Sequence, residues 1–338
     1  MINWANGFSA STYAMVVDAG TWKDLRRIEI VDGSVSRTNE GLRNAADMTL
    51  VNYNQTKEQW LRIYMDVNQE GAGDHVALFT GLACAPDKTI NGTLTTNKVS
   101  CNSVLQPCED ILLTRGWYAP ARVDAETILR DLLSYTPAPV EVIDTTPSLR
   151  DHIVAEDGET ALTMVEKVLL AIGWRMQIRG DGTIVISEPA MDSIMLFDAQ
   201  SNDCLETQLD VSYDWYSAPN VFRATTETES YIARDEREDS ILSIPNRGRE
   251  IWAEETDCAT GDGETLESYA ERRLREEQMV NYQISYKRRF FPNILVSDIV
   301  TLNYPAQDIY GDFLITSQTI ELGHGASTSE EVIAYEQH

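Results

Sequence analysis

The chain has 338 residues, 43% of them hydrophobic, with 54 acidic against 27 basic side chains and a formal net charge of −27. That length predicts two or three domains, and the apolar fraction excludes compositional disorder. The charge argues against tight binding to a phosphate backbone, and no run of about 18 uncharged apolar residues offers a membrane-spanning helix.

The N-terminal stretch MINWANGFSASTYAMVVDAG has neither a basic n-region nor a continuous apolar h-region, so no signal peptide and synthesis in the cytoplasm are expected. Residues 1–118 then read as short strands. In EQWLRIYMDV, Leu61, Ile63, Met65 and Val67 share one face, and Trp60, Arg62, Tyr64 and Asp66 the other. ADMTLVNY and DHVALFTG keep the same period of two. LRRIEIVDGSVSRT reads as a strand interrupted at Asp32-Gly33 by a bulge or a tight turn. Strands at this spacing predict a small barrel or sandwich.

Over 119–200 the period changes. In VDAETILRDLLSY, Asp124 is the expected N-cap and Ile128, Leu129, Leu132 and Leu133 form the apolar stripe. In GETALTMVEKVLLAIGW, Thr160 caps a second helix carrying Leu162, Val165, Leu169 and Ile172. Gly173 stands where a left-handed C′ residue is wanted, with Trp174 folding back onto the helix end. The next glycines, in Gly180-Asp181-Gly182, lie between two alternating runs and predict a hairpin turn. A phosphate cradle needs the reverse order, a strand and glycine loop leading into a helix N-terminus. These glycines are read as scaffold.

Residues 201–338 return to strands. CLETQLDVSYDWYSAPNVFRATTET reads as two strands around a Ser-Ala-Pro-Asn turn, and Arg234 to Asp239 as a solvated loop or edge. Residues 264–279 form an amphipathic helix with Leu266, Tyr269, Ala270 and Leu274 inward, and 282–336 supply closing strands. The charge deepens along the chain, from −3 over 1–118 to −8 over 119–200 and −16 over 201–338.

The search for chemistry assigns no catalytic residue, cofactor or metal ligand. Cys84, Cys101, Cys108, Cys204 and Cys258 form no CxxC and read as reduced thiols; His75, His152, His324 and His338 are scattered. Asp66 to Asp74 resembles the start of a calcium loop but has Ala77 where a bidentate glutamate belongs, so an irregular hairpin loop is expected. No GxSxG elbow, HExxH or cysteine–histidine signature occurs. Trp60, Trp117, Tyr213, Trp215 and Tyr216 could make a sugar platform, though packing is the more usual use of aromatics in short strands.

Three passages taken together resemble the baseplate hub proteins of tailed phages and prophages. They are VVDAGTWKDLRRIEIVDGSVSRT, the middle run from VDAETILRDLL to IRGDGTIVISEP, and FFPNILVSDIVTLNYPAQDIYGDFLITSQTIELGHG. In the last, Ser297, Asp298, Ile299 and Val300 open a strand ahead of Gly311, Phe313 and Ile315. The resemblance implies a mainly β protein with an α+β insert. Two tail-tube-like β-barrels, in 1–118 and 201–338, would flank an α/β insertion over 119–200. It further implies a homotrimeric, pseudo-sixfold ring in the tail baseplate or tip of a virion. That ring would join the tail tube protein to a distal spike or tip protein, with the tape measure protein as a further partner and DNA passing without tight binding. Because the chain ends soon after its last strand, an appended lysin activity is not expected. Asp235, Glu236, Glu238 and Asp239 are the candidate luminal or interface acidic cluster. The alternatives are a cell-wall-degrading enzyme or a glycan-binding module.

Overall fold

The structure, a computed structural model, describes residues 2–53, 55–91, 94–200, 205–226, 228–279, 282–323 and 326–335. Its first six strands are β1 (Ser9–Val17), β2 (Asp24–Thr38), β3 (Asn44–Val51), β4 (Gln59–Gln69), β5 (Ala72–Asn91) and β6 (Leu94–Ser103). They pair antiparallel in the order β1-β4-β5-β6-β3-β2, and β2 pairs back onto β1, so the hydrogen-bonded neighbours form a closed cycle. Leu61, Ile63, Met65 and Val67 point inward as their alternation requires, and pack with Val35, Leu50, Phe79 and Val99. β4 and β5 meet at Glu70-Gly71, both at positive φ (46° and 86°), which is a tight two-residue turn rather than an irregular loop. β2 runs through Asp32-Gly33 unbroken and carries its bulge just before them, at Val31, where the register with β3 shifts between Ile30 and Asp32. A Cβ on Gly33 would lie 2.3 Å from the Asp47 carbonyl oxygen.

The middle of the chain contains α1 (Gln106–Glu109), β7 (Tyr118–Ala119), α2 (Ala125–Leu132), β8 (Val140–Val142), β9 (Ile153–Val154), α3 (Ala161–Ile172), β10 (Arg175–Ile178) and β11 (Ile184–Ser187). The Asp124 carboxylate accepts from the Glu126 and Thr127 N–H groups, and Thr160 Oγ1 accepts from the Thr163 N–H. Gly173 ends α3 at φ 66°, and the Trp174 N–H returns to the Leu169 carbonyl at 3.0 Å. β10 and β11 form the expected hairpin, and β8 adds in parallel.

The hairpin tip is a docking element. Trp22 Nε1 and Arg62 Nη2 each donate to the Asp181 carbonyl at 3.0 Å, and Thr80 Oγ1 donates to the Gly180 carbonyl at 2.9 Å. This contact explains why Trp60 and Arg62, on the outward face of β4, are nevertheless buried. A Cβ on Gly180 would stand 1.8 Å from the Ala77 carbonyl oxygen, so only glycine permits the approach. A second tie runs from Arg43 Nη2 to both Glu166 carboxylate oxygens at 2.7 Å.

The rest of the chain forms β12 (Ser193–Asp198), β13 (Leu205–Tyr213), β14 (Val221–Thr225), β15 (Ser230–Arg234), α4 (Ile244–Arg247), β16 (Trp252–Glu255), α5 (Leu266–Met279), β17 (Tyr282–Arg289), β18 (Ile299–Tyr304), β19 (Ile309–Glu321) and β20 (Ser327–Ala334). Six of these strands pair in the order β12-β18-β19-β20-β17-β13. The strands either side of Ser-Ala-Pro-Asn do not pair with each other. β13 joins β17, whereas β14 forms a separate three-stranded sheet with β15 and β16. Leu266, Tyr269, Ala270 and Leu274 of α5 are buried with Phe222 and Ala233 of that small sheet. Arg272 of α5 reaches the Leu170 carbonyl at the end of α3, at 3.1 Å.

β19 also pairs with β2, which fuses the two six-stranded groups into one continuous sheet. A buried polar chain crosses this seam. Arg37 Nη1 donates to Gln318 Oε1 at 2.7 Å, and Gln318 Nε2 donates to Glu330 Oε1 at 2.7 Å. Glu330 also accepts from Arg288 Nε at 2.7 Å and from the Tyr286 hydroxyl at 2.6 Å. Arg288 and Glu330 are both completely buried. Removing one partner of such a pair strands a charge, so Glu330→Ala is expected to cost about 3–5 kcal/mol in denaturant unfolding; a loss under about 1 kcal/mol is the contrary result. Gly180→Ala is expected to unseat the hairpin, read as faster limited proteolysis within 119–200 than in the parent protein; unchanged protection contradicts the docking role.

Candidate assembly surfaces

Among the described residues no group of three or more His, Cys, Asp or Glu side chains is placed to hold a metal ion. Cys101, Cys108 and Cys258 are buried and Cys84 half-buried, all without disulfides, while Cys204 lies outside the described residues. Burial pushes the Cys108 and Cys258 thiols up to about 11, so neither is a thiolate at neutral pH. His75 stacks on Tyr64 at 4.3 Å, with Nδ1 2.7 Å from an Asp66 carboxylate oxygen. His152 is exposed, and His324 and His338 lie outside the described residues.

The acidic run after β15 divides. Asp235 is buried; its carboxylate accepts from Arg237 Nε at 3.0 Å, Ser240 Oγ at 2.7 Å and Gln278 Nε2 at 3.1 Å. It therefore ties the β15–α4 loop to α5. Glu236, Glu238 and Asp239 are exposed. Their alternation with arginine gave no sequence signal that the first acid turns inward and the others outward.

Six of the 19 large exposed apolar side chains among the described residues lie on or beside the second group's two terminal strands, and the others are spread over the chain. Ile194 and Leu196 lie on β12, Val211 and Tyr213 on β13, and Trp215 and Tyr216 on the loop that follows. Tyr213 stacks on Tyr282 at 5.0 Å and meets Trp215 at 5.5 Å. Asp214 accepts from the Tyr216 and Ser217 N–H groups, and Arg247 Nη2 donates to the Trp215 carbonyl, so the aromatic loop is held in shape. Of the aromatics considered from sequence, Trp60 is buried and Trp117 half-buried, whereas Tyr213, Trp215 and Tyr216 stand together on the surface.

The polar seam was missed from sequence, though its signal was available. Arg288 and Glu330 each occupy an inward phase between buried neighbours at ±2 (Tyr286 and Phe290, Thr328 and Val332), and Arg37 and Gln318 each have one such neighbour, Val35 and Ile320.

Burial draws the Asp235 carboxyl upward, but the bonds from Arg237 and Ser240 outweigh it and hold the acid below its ordinary value. A depressed carboxyl stabilises the fold above its unfolded value, about 3.9, and loses that contribution as pH falls through the folded value. Asp235→Asn is therefore expected to lower stability at pH 7 and to flatten the acid limb below about pH 4 in thermal melts. An unchanged acid limb contradicts the assignment.

No family model and no curated protein matches the chain. Solved structures do. A tail protein from Neisseria meningitidis MC58 is similar at a TM-score of 0.66 and 13% identity, over 97% of this chain and 97% of that one. The 43 kDa tail protein of prophage MuSo2 from Shewanella oneidensis is similar at 0.65 and 13% identity, over 96% and 97%. The E. coli c3393 protein, a type VI secretion component described as structurally similar to the phage T4 tail proteins gp27 and gp5, is similar at 0.54 and 9%, over 92% and 74%. Across nearly its whole length, the chain has the fold of phage tail proteins.

Proposed function

We propose that this chain is a non-enzymatic structural hub of a phage or phage-like tail, located in the baseplate or tip. The observation that carries the reading is the β2–β19 pairing, which sets two six-stranded groups side by side in one continuous sheet. In this reading each group is a tube-like barrel, with 1–118 and 201–338 supplying the two and 119–200 the insertion; β12, at the end of that insertion, pairs into the second group. Three copies put six such groups around one axis, giving a pseudo-sixfold ring that matches a sixfold tube. Tail tube protein would sit on one face and a spike or tip protein on the other, with tape measure protein and then DNA passing through the centre. The net charge of −27 keeps that passage free of tight phosphate contacts. Glu236, Glu238 and Asp239 serve here as a charged interface patch.

Native mass spectrometry of the purified protein is expected to give a species of three times the 38.0 kDa chain mass, or rings with co-expressed tube protein. A stable monomer that joins no tube protein contradicts the proposal.

The surface cluster of Tyr213, Trp215 and Tyr216 favours a second reading, a glycan-binding module. Saturable quenching of tryptophan fluorescence by a cell-wall glycan, lost in Trp215→Ala, would establish it; a flat titration removes it.

A further inference from the structure

We infer that a small monovalent anion of the halide class, chloride foremost, binds in a cavity where the first strand group, the insert and the second group meet. The cavity has a volume of about 20 Å³ and is bordered by Arg37 and Arg43 from the β2–β3 hairpin end, Gln177 and Ile178 from β10, and Val296 and Ser297 ahead of β18. A cavity of about 10–15 Å³ already takes one water, so this one has room for a single, slightly larger occupant. The two arginines reach it for local reasons. Arg37 lies on the inward phase of β2, and Arg43 takes a left-handed position in the turn, at φ 61°. The Thr38 N–H closes that turn on the Arg43 carbonyl at 2.8 Å. Both residues are more than nine-tenths buried, and the Nε–H of each meets no acceptor.

The Nη groups of these arginines are already engaged, those of Arg37 by Gln318 and the Leu78 carbonyl, those of Arg43 by the Asn39 carbonyl and Glu166. So are the neighbouring acceptors. The Ser297 carbonyl takes Arg175 Nη1, the Val296 carbonyl takes Gln177 Nε2 at 2.6 Å, and Asp298 Oδ1 takes both donors at 3.1 Å. A buried charged donor without an acceptor is among the costliest defects of a folded chain, and native structures answer it with water or an ion.

Charge decides between those two. The junction and the seam behind it hold the guanidiniums of Arg37, Arg43, Arg175 and Arg288 against the carboxylates of Glu166, Asp298 and Glu330, four positive to three negative. Arg37 has no carboxylate in direct contact, and burial and the nearby Arg288 both work against its charge. Glu40, near Glu166, is exposed, so water screens it. Among the bordering residues no buried side-chain acceptor lacks a donor. Two N–H donors and one uncompensated positive charge suit an occupant that only accepts and carries a single negative charge. Water would satisfy the donors but leave the charge, and sulfate or phosphate is larger than the space.

The test uses the full chain. Thermal melts of the parent protein are compared in sodium gluconate, chloride and bromide, each at about 0.15 M ionic strength. Chloride and bromide are expected to raise the midpoint by about 2 °C over gluconate. Arg43→Gln, folded by circular dichroism, is expected to lose that difference; an equal shift in both proteins is a general salt effect and overturns the inference. Because Arg43 also holds Glu166, the variant could fail to fold, and a second measurement needs only the parent protein. Its crystals grown with bromide are expected to show an anomalous peak within hydrogen-bond reach of Arg37 Nε and Arg43 Nε. No peak there overturns the inference, and so does a peak without a halide-dependent melting shift, which marks an adventitious ion only.

Discussion

The pairing of Arg37 with Gln318 across β2 and β19 is the constraint on which the rest of the molecule depends. Among the described residues it lies at the strand pair that joins the two six-stranded groups, and both side chains are buried. Behind it, Glu330 takes bonds from Gln318, Arg288 and Tyr286, so the seam and the second core share one polar network. Burial and the neighbouring Arg288 hold Arg37 down to about 10, which still leaves it charged at neutral pH. A buried ionic network contributes little stability beyond what packed apolar side chains would give. Its effect here is on register. A slip of one residue would turn Arg37 outward and bring a serine or threonine in, leaving Gln318 Oε1 without its donor.

The same geometry explains how the insert is carried. The Gly180-Asp181-Gly182 turn offers two backbone carbonyls to Trp22, Arg62 and Thr80, an arrangement that needs two segments of the backbone to approach closely at Gly180. The glycines therefore serve a contact between modules, and the arginine on the outward face of β4 is consumed by it. What remains bare is a sheet face rich in serine and threonine on one side and an aromatic edge on the other. These are opposite surface chemistries.

Much of this was legible in the sequence wherever a local rule governs. The caps at Asp124 and Thr160, the left-handed Gly173, the period-two core of β4 and the inward stripe of α5 each follow from one residue type at one position. Partnership between distant strands was not legible. β13 and β14 flank the Ser-Ala-Pro-Asn turn, yet each finds its partners elsewhere because the core they complete is non-local. The inward turn of Asp235 was not legible for a related reason. Composition gave its density, but only the Gln278 amide arriving from α5 determines that Asp235 is internal. The resemblance to tail hubs, carried by order and spacing, agrees with a fold likeness that survives at 13% identity.

A side-by-side pair of six-stranded groups has a purpose in this account only if copies close around an axis. Single-particle imaging of the purified protein tests that most directly. End-on class averages should show a ring of six lobes with a central opening and threefold symmetry. Averages showing isolated two-lobed particles, or a twofold dimer with no opening, would contradict the account.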